Sequence, residues 1–124
     1  MKKIAFVVAF LATIILFAGS QNVSAQDSGS MEWSGTVDDT VQVIIRGRNA
    51  TTNTLKGSVT YDATYNFDGR LPRDEVQLRV EKTDGRGRVI IVQQPNRRNN
   101  WTAIVRIIDD KKRSDNYSFV LYWD

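Results

Sequence analysis

The chain has 124 residues, with 17 Lys and Arg against 14 Asp and Glu, and contains no cysteine and no histidine. These two absences exclude disulfides, thiol chemistry, thiolate and imidazole metal sites, and the Ser-His-Asp triad. The net charge of +3 does not point to a nucleic-acid partner: without Lys2 and Lys3, which lie in a segment read below as removed, 15 basic residues face 14 acidic ones.

Residues 1–25 read as a secretory signal peptide. Lys2 and Lys3 form a positive start, Ile4 to Ala18 is apolar except for Thr13, and Val23-Ser24-Ala25 offers small residues for cleavage after Ala25. The apolar run is shorter than the roughly 20 residues a membrane-spanning helix needs. The expected product is therefore secreted or periplasmic, with no membrane span after cleavage. A retained anchor is the alternative. Residues 26–30, QDSGS, form a flexible leader, and residues 31–124 form one domain.

From there the chain alternates with period two, the signature of half-buried strands. Trp33, Gly35 and Val37 share one face. Val41, Val43 and Ile45 follow after the short turn Val37-Asp38-Asp39-Thr40. Asn53 to Gly57 reads as a second turn, and Val59 to Phe67 as a strand with Tyr61, Ala63 and Tyr65 on its apolar side. Asp68 to Pro72 is a corner. Val76, Leu78 and Val80 alternate, and Asp84-Gly85-Arg86-Gly87 has the glycines of a hairpin loop. Val89 to Val92 is apolar throughout, as expected of a central strand covered on both sides. Polar loops at 95–100 and 109–116 flank a row of Trp101, Ala103, Val105 and Ile107. Tyr117, Phe119, Leu121 and Trp123 close the chain. No window carries a convincing amphipathic helix. Seven or eight such strands predict an all-β antiparallel sandwich, with a small β-barrel as the alternative.

Five acids fall in loops: Asp38, Asp39, Asp109, Asp110 and Asp115. Calcium takes 6–8 oxygen ligands, often from several loops, so these are the weak candidates for a cation site if the loops share one end of the sandwich. The competing account is that Asp turns the chain and caps local N–H groups. As a catalytic pair, Asp38 and Asp39 would need separated pKa values and a dry cleft, which adjacent residues in a turn do not provide. A carboxylate-based hydrolase is therefore the third reading, behind a non-catalytic binding module and a calcium-assisted carbohydrate or polymer binder.

Eleven arginines suit planar contacts with carboxylate, phosphate or sulfate. Arg86 and Arg88 flank the predicted hairpin tip, at the opposite end from Arg97 and Arg98. Lys111, Lys112 and Arg113 fall near the Arg86 end, so these five are the candidate anion contacts. Cross-strand pairing with acids is the plainer alternative. Trp33, Trp101 and Trp123 lie on apolar phases, which favours core over an exposed sugar platform; Trp101 stands out because it follows the Asn99-Asn100 loop.

Two stretches, "WSGTVDDTVQVIIRGR" and "GRGRVIIVQQPNRRNNWTAIVRIID", followed by "DNYSFVLYW", resemble a group of small secreted bacterial proteins of unassigned function. The closing "DNYSFVLYW" is also similar to the last strand of bacterial pre-peptidase C-terminal domains, which are non-catalytic accessory sandwiches. The resemblance implies a stand-alone secreted sandwich with a binding or structural duty rather than chemistry. Taken with the signal segment, the alternating strands and the missing His and Cys, the expected role is a binding or envelope-associated module for a protein or polymer ligand.

Overall fold

The computed structural model describes residues 28–57, 61–111 and 113–124. The signal segment, Gln26 and Asp27 of the leader, the start of the strand predicted from Val59, and Lys112 lie outside the described residues; Gly29 and Ser30, expected in the flexible leader, instead open the first strand, paired with the last one. Among the described residues there are eight strands: β1 (Gly29–Val37), β2 (Thr40–Arg46), β3 (Asn49–Lys56), β4 (Thr64–Asp68), β5 (Arg79–Asp84), β6 (Arg88–Gln93), β7 (Ala103–Ile108) and β8 (Asp115–Trp123). A single 3-10 turn, Arg97–Asn99, is the helical element among the described residues.

The strands form two antiparallel sheets, ordered β4-β1-β8-β5 and β3-β2-β7-β6, and neither closes into a barrel. In each sheet the two central strands carry the strongest alternation. Met31, Trp33 and Val37 of β1 and Tyr117, Phe119, Leu121 and Trp123 of β8 point inward from the first sheet. Val41, Val43 and Ile45 of β2 and Ala103, Val105 and Ile107 of β7 meet them from the second. Each buried side chain of this kind is worth about 1.5–3 kcal/mol before conformational entropy is subtracted. Trp33 and Phe119 stack with ring centroids 5.7 Å apart and planes 10° from parallel. Polar ties also cross between the sheets. The Thr52 hydroxyl of β3 accepts the Trp33 indole N–H at 3.0 Å and shares a 2.5 Å hydrogen bond with the Tyr65 hydroxyl of β4.

Four other sequence expectations change. Val89 to Val92 lies in β6, an edge strand paired only with β7; its outward side chains, Ile90 and Val92, are 36% and 39% exposed. A run apolar on both sides here reflects an uncovered face, not a central position. Of the turn expected at Asn53–Gly57, Asn53 to Lys56 is instead the end of β3, a Thr- and Asn-rich edge strand whose polarity hides its period, and Gly57 (φ 87°) follows it. The strand expected from Val76 begins at Arg79, because the Gln94 amide replaces a neighbouring strand at Leu78: it accepts the Leu78 N–H at 2.9 Å and donates to the Leu78 carbonyl at 3.2 Å. Finally, Asp84–Gly87 is not a hairpin. It carries the chain from β5 in the first sheet to β6 in the second.

That crossing is one of a set. Asp38-Asp39 joins β1 to β2 across the sheets, and residues 109–114 join β7 to β8 across them at the same end. The opposite end holds the Gly47-Arg48 hairpin, the 69–78 segment and the 94–102 loop.

Candidate functional site

The crossing end is organised around a buried acid. The Asp109 side chain has no exposed surface, and its backbone N–H donates to the Asp39 carbonyl at 2.5 Å. The Arg86 Nε–H lies between both carboxylate oxygens, 3.1 Å from Oδ1 and 2.9 Å from Oδ2. The Lys111 N–H donates to Oδ1 at 3.0 Å, and the Tyr117 hydroxyl to Oδ2 at 2.9 Å. Burial by itself would raise the Asp109 pKa. The hydrogen bonds from Lys111, Arg86 and Tyr117 outweigh it and hold the carboxyl below its ordinary value. Tyr117 is pushed up to about 12, by burial first and then by its bond to the Asp109 carboxylate.

Glycine makes this approach possible. A Cβ at Gly87 would run into the Ile108 carbonyl and the Tyr117 hydroxyl, and one at Gly85 (φ 120°) into the Tyr117 ring. The Gly87 N–H donates to the Tyr117 hydroxyl at 2.6 Å.

The five acids singled out in the sequence are thus brought to one end, in different roles. Asp39 adopts φ 77°, a left-handed conformation that Asp tolerates better than most residues, and its Oδ1 accepts the Thr40 hydroxyl at 3.0 Å. Asp38 Oδ1 is shielded from solvent with no partner among the described residues. Asp109 is saturated by its own donors, Asp110 is exposed, and Asp115 Oδ2 accepts the Arg86 backbone N–H at 3.1 Å. Among the described residues no three acids gather in a way that could hold a metal ion. Of the cations, Arg86 is turned inward, its Nη2 donating to the Arg113 carbonyl at 2.5 Å. Lys111 and Arg113 are exposed beside it, and Arg88 lies on the open face of β6.

The opposite end holds a recess of about 140 Å³ lined by Arg46, Asn49, Arg70, Arg73, Asn100 and Trp101, together with Gly47 and Leu71. Local structure pins each wall. The Leu71 N–H donates to the Gly47 carbonyl at 2.8 Å, and the Arg70 guanidinium lies over Gly47, where a Cβ would come within 3.2 Å of it. Arg46 Nε donates to the Thr102 hydroxyl at 3.0 Å. Asn96 caps the 3-10 turn: its side chain accepts the Asn99 N–H at 3.2 Å, and the Asn99 side chain accepts the Asn96 N–H at 2.9 Å. The Thr102 N–H donates to the Asn99 side chain at 3.0 Å, and the Trp101 N–H to the Asn96 carbonyl at 2.8 Å.

These bonds hold Asn100 and Trp101 in succession at φ 56° and φ 58°. A left-handed conformation costs a residue with a side chain about 1–2 kcal/mol. For Trp101 the result is that the indole leaves the β7 row and lines the recess, half-buried. The ion pairs among the described residues are Arg79–Asp124 and Arg86–Asp109, so Arg46, Arg70 and Arg73 face the recess with no carboxylate paired to them there. Arg97 and Arg98 line a second, shallower depression in the same loops.

The sequence reading missed this site. Its arginines are spread over 28 positions and converge only through the fold. The one signal available was the Asn99-Asn100 loop before Trp101. Compared with known protein families, with curated proteins and with solved structures, the chain finds no match.

Proposed function

We propose that this protein is a small exported, non-catalytic binding module, and that it holds one unit of an acidic polysaccharide in the recess at Arg46, Arg70, Arg73 and Trp101. The observation that carries the reading is that three arginines, none ion-paired with a described carboxylate, line one recess together with Trp101, whose backbone is left-handed. Arginine suits carboxylate, sulfate or phosphate groups. An indole face suits the flat side of a sugar ring. The recess is smaller than the roughly 300–1,000 Å³ of ordinary small-molecule pockets, so it fits one residue of a longer chain. Export is supported by the signal-like segment. A non-catalytic role is supported by the state of the buried carboxylate, Asp109, whose oxygens are already occupied by Arg86, Tyr117 and the Lys111 N–H.

Tryptophan emission tests the reading, because Trp33 and Trp123 are buried and Trp101 is the indole at the recess. Polygalacturonate and heparin are titrated in turn, with inorganic phosphate as the small anion and dextran as the neutral polymer. A saturable change is expected with an acidic polymer and not with dextran. Arg70→Ala or Arg73→Ala is expected to weaken it about tenfold, the loss of one charge-assisted hydrogen bond. A response to phosphate equal to that of the polymers would reduce the site to a simple anion site. No response to either acidic polymer at low salt would overturn the reading.

A further inference from the structure

The two outer faces of the sandwich differ in kind. The strands of the second sheet, β3, β2, β7 and β6, contain no Asp or Glu and carry Arg46, Lys56, Arg88 and Arg106. Those of the first sheet hold Glu32, Asp68, Glu81, Asp84 and Asp115. The two bases of the first sheet are already engaged: Arg79 with Asp124 at 3.2 Å, and Lys82 with the Gly87 carbonyl at 2.6 Å.

Polarity divides the same way. The outward face of an antiparallel sheet is ordinarily polar when water covers it. The first sheet obeys this on β1, where Ser30, Glu32, Ser34 and Thr36 point outward. On the second sheet the outward positions include Ile44, Ile90, Ile104 and Ile108. Arg106 stands among them. It is half-buried, its Nη2 donates to the Gln42 side chain at 3.0 Å, and its Nε is shielded from solvent with no partner among the described residues.

We propose that the basic, apolar outer face of the second sheet docks on the acidic outer face of the first sheet of a second copy of this chain. Charge selects this pairing. Second sheet on second sheet would oppose like charges, whereas second on first opposes Arg88, Arg106 and Lys56 to Glu32 and Glu81. On the acidic face, Val120 lies between Glu32 and Glu81 in register, one apolar side chain flanked by two acids. Using two different patches makes the contact heterologous, so it leaves one face open at each end and propagates as a row. Four strands about 4.8 Å apart and about six residues long give a footprint of about 400 Å², half the roughly 800 Å² per partner of stable complexes. The association is therefore weak, and it depends on concentration and salt. The recess lies at one end of the sandwich, so the row repeats it.

Sedimentation equilibrium of the purified protein tests this. The average mass is expected to rise with concentration in about 0.02 M salt and to return to that of the monomer in about 0.5 M salt. Lys56→Glu/Arg88→Glu cancels the net charge of the basic face, and Glu32→Lys/Glu81→Lys reverses that of the acidic one. All four positions are exposed, so folding is expected to survive, which circular dichroism checks. Each variant alone is expected to stay monomeric, and an equimolar mixture is expected to associate again. A protein that remains monomeric at about 1 mM in low salt, well above the micromolar range of weak contacts, would overturn the proposal. So would association that survives either charge reversal, or a mixture that fails to recover it. Emission titration of the recess is read separately, so loss of one result leaves the other standing.

Discussion

The Tyr117 hydroxyl donates to Asp109 at 2.9 Å while accepting the Gly87 N–H at 2.6 Å. One phenol thereby joins three loop-and-strand junctions: the start of β8, the exit of β7 and the entry to β6. Because β8 belongs to the first sheet and the other two to the second, the contact fastens one sheet to the other at the crossing end. Tyr117→Phe leaves the Gly87 N–H without its acceptor and Asp109 without one donor. A loss of about 1–3 kcal/mol is expected. Asp109→Ala is expected to cost at least as much. Since both act through one network, the double variant is expected to lose less than the sum of the two. Urea unfolding of the four proteins measures this, and simple additivity would contradict it.

The same pair predicts pH dependence with a definite sign. Tyr117 has a folded pKa of about 12, above its ordinary value of about 10. The folded state therefore holds this proton more tightly. Its contribution is complete below about pH 10 and is lost as pH rises through about 12. Asp109 works in the other direction. Its folded pKa is lowered, so its contribution is complete above the unfolded value of about 3.9 and disappears as pH falls through the lower folded one. Thermal melts of wild type and Tyr117→Phe are expected to differ by a constant gap up to about pH 10 that closes above it. A gap unchanged at about pH 12 would place the alkaline limb on another group.

Gly87 and Gly69 separate two kinds of glycine requirement. At Gly69 the backbone has φ 99° and a Cβ would meet nothing closer than 3.4 Å, so Gly69→Ala is expected to cost the conformational term alone, about 1–3 kcal/mol. At Gly87 the obstacle is the Ile108 carbonyl and the Tyr117 hydroxyl, neither of which can move without breaking the crossing end. Gly87→Ala is expected to be the more destabilising of the two by chemical denaturation. The reverse order would mean that Tyr117 packs less tightly than described.

Core and corner also make opposite predictions. Leu78 is 2% exposed although it lies just outside β5, and Leu78→Asp would place an unpaired charge between the sheets and prevent folding. Asp39→Asn keeps a residue that accepts a left-handed φ and an oxygen for the Thr40 hydroxyl, and is expected to change stability by less than about 0.5 kcal/mol. Circular dichroism and solubility distinguish the two, and a soluble, folded Leu78→Asp protein would contradict the burial of that side chain.

Side-chain alternation marked β1, β2, β7 and β8 in the sequence because these central strands each have one face against the core. The same pattern could not show β3, whose "NATTNTLK" has too little apolar surface to register, nor that β6 is an edge strand. It also could not separate a hairpin from a crossing: Asp84–Gly87 has the glycines that either requires.

The class of fold, an all-strand sandwich without thiol or imidazole chemistry, is legible in the chain alone, because period-two alternation and missing residue types need no knowledge of strand order. Tertiary structure decided which loops share an end. It made Asp109 the centre of a network rather than a free acid, turned Trp101 out of its row, and gathered Arg46, Arg70 and Arg73 around it. The physical reason is that strands pair through backbone hydrogen bonds common to every residue type, so side chains far apart in sequence meet according to sheet order, which the alternation of any one strand does not encode.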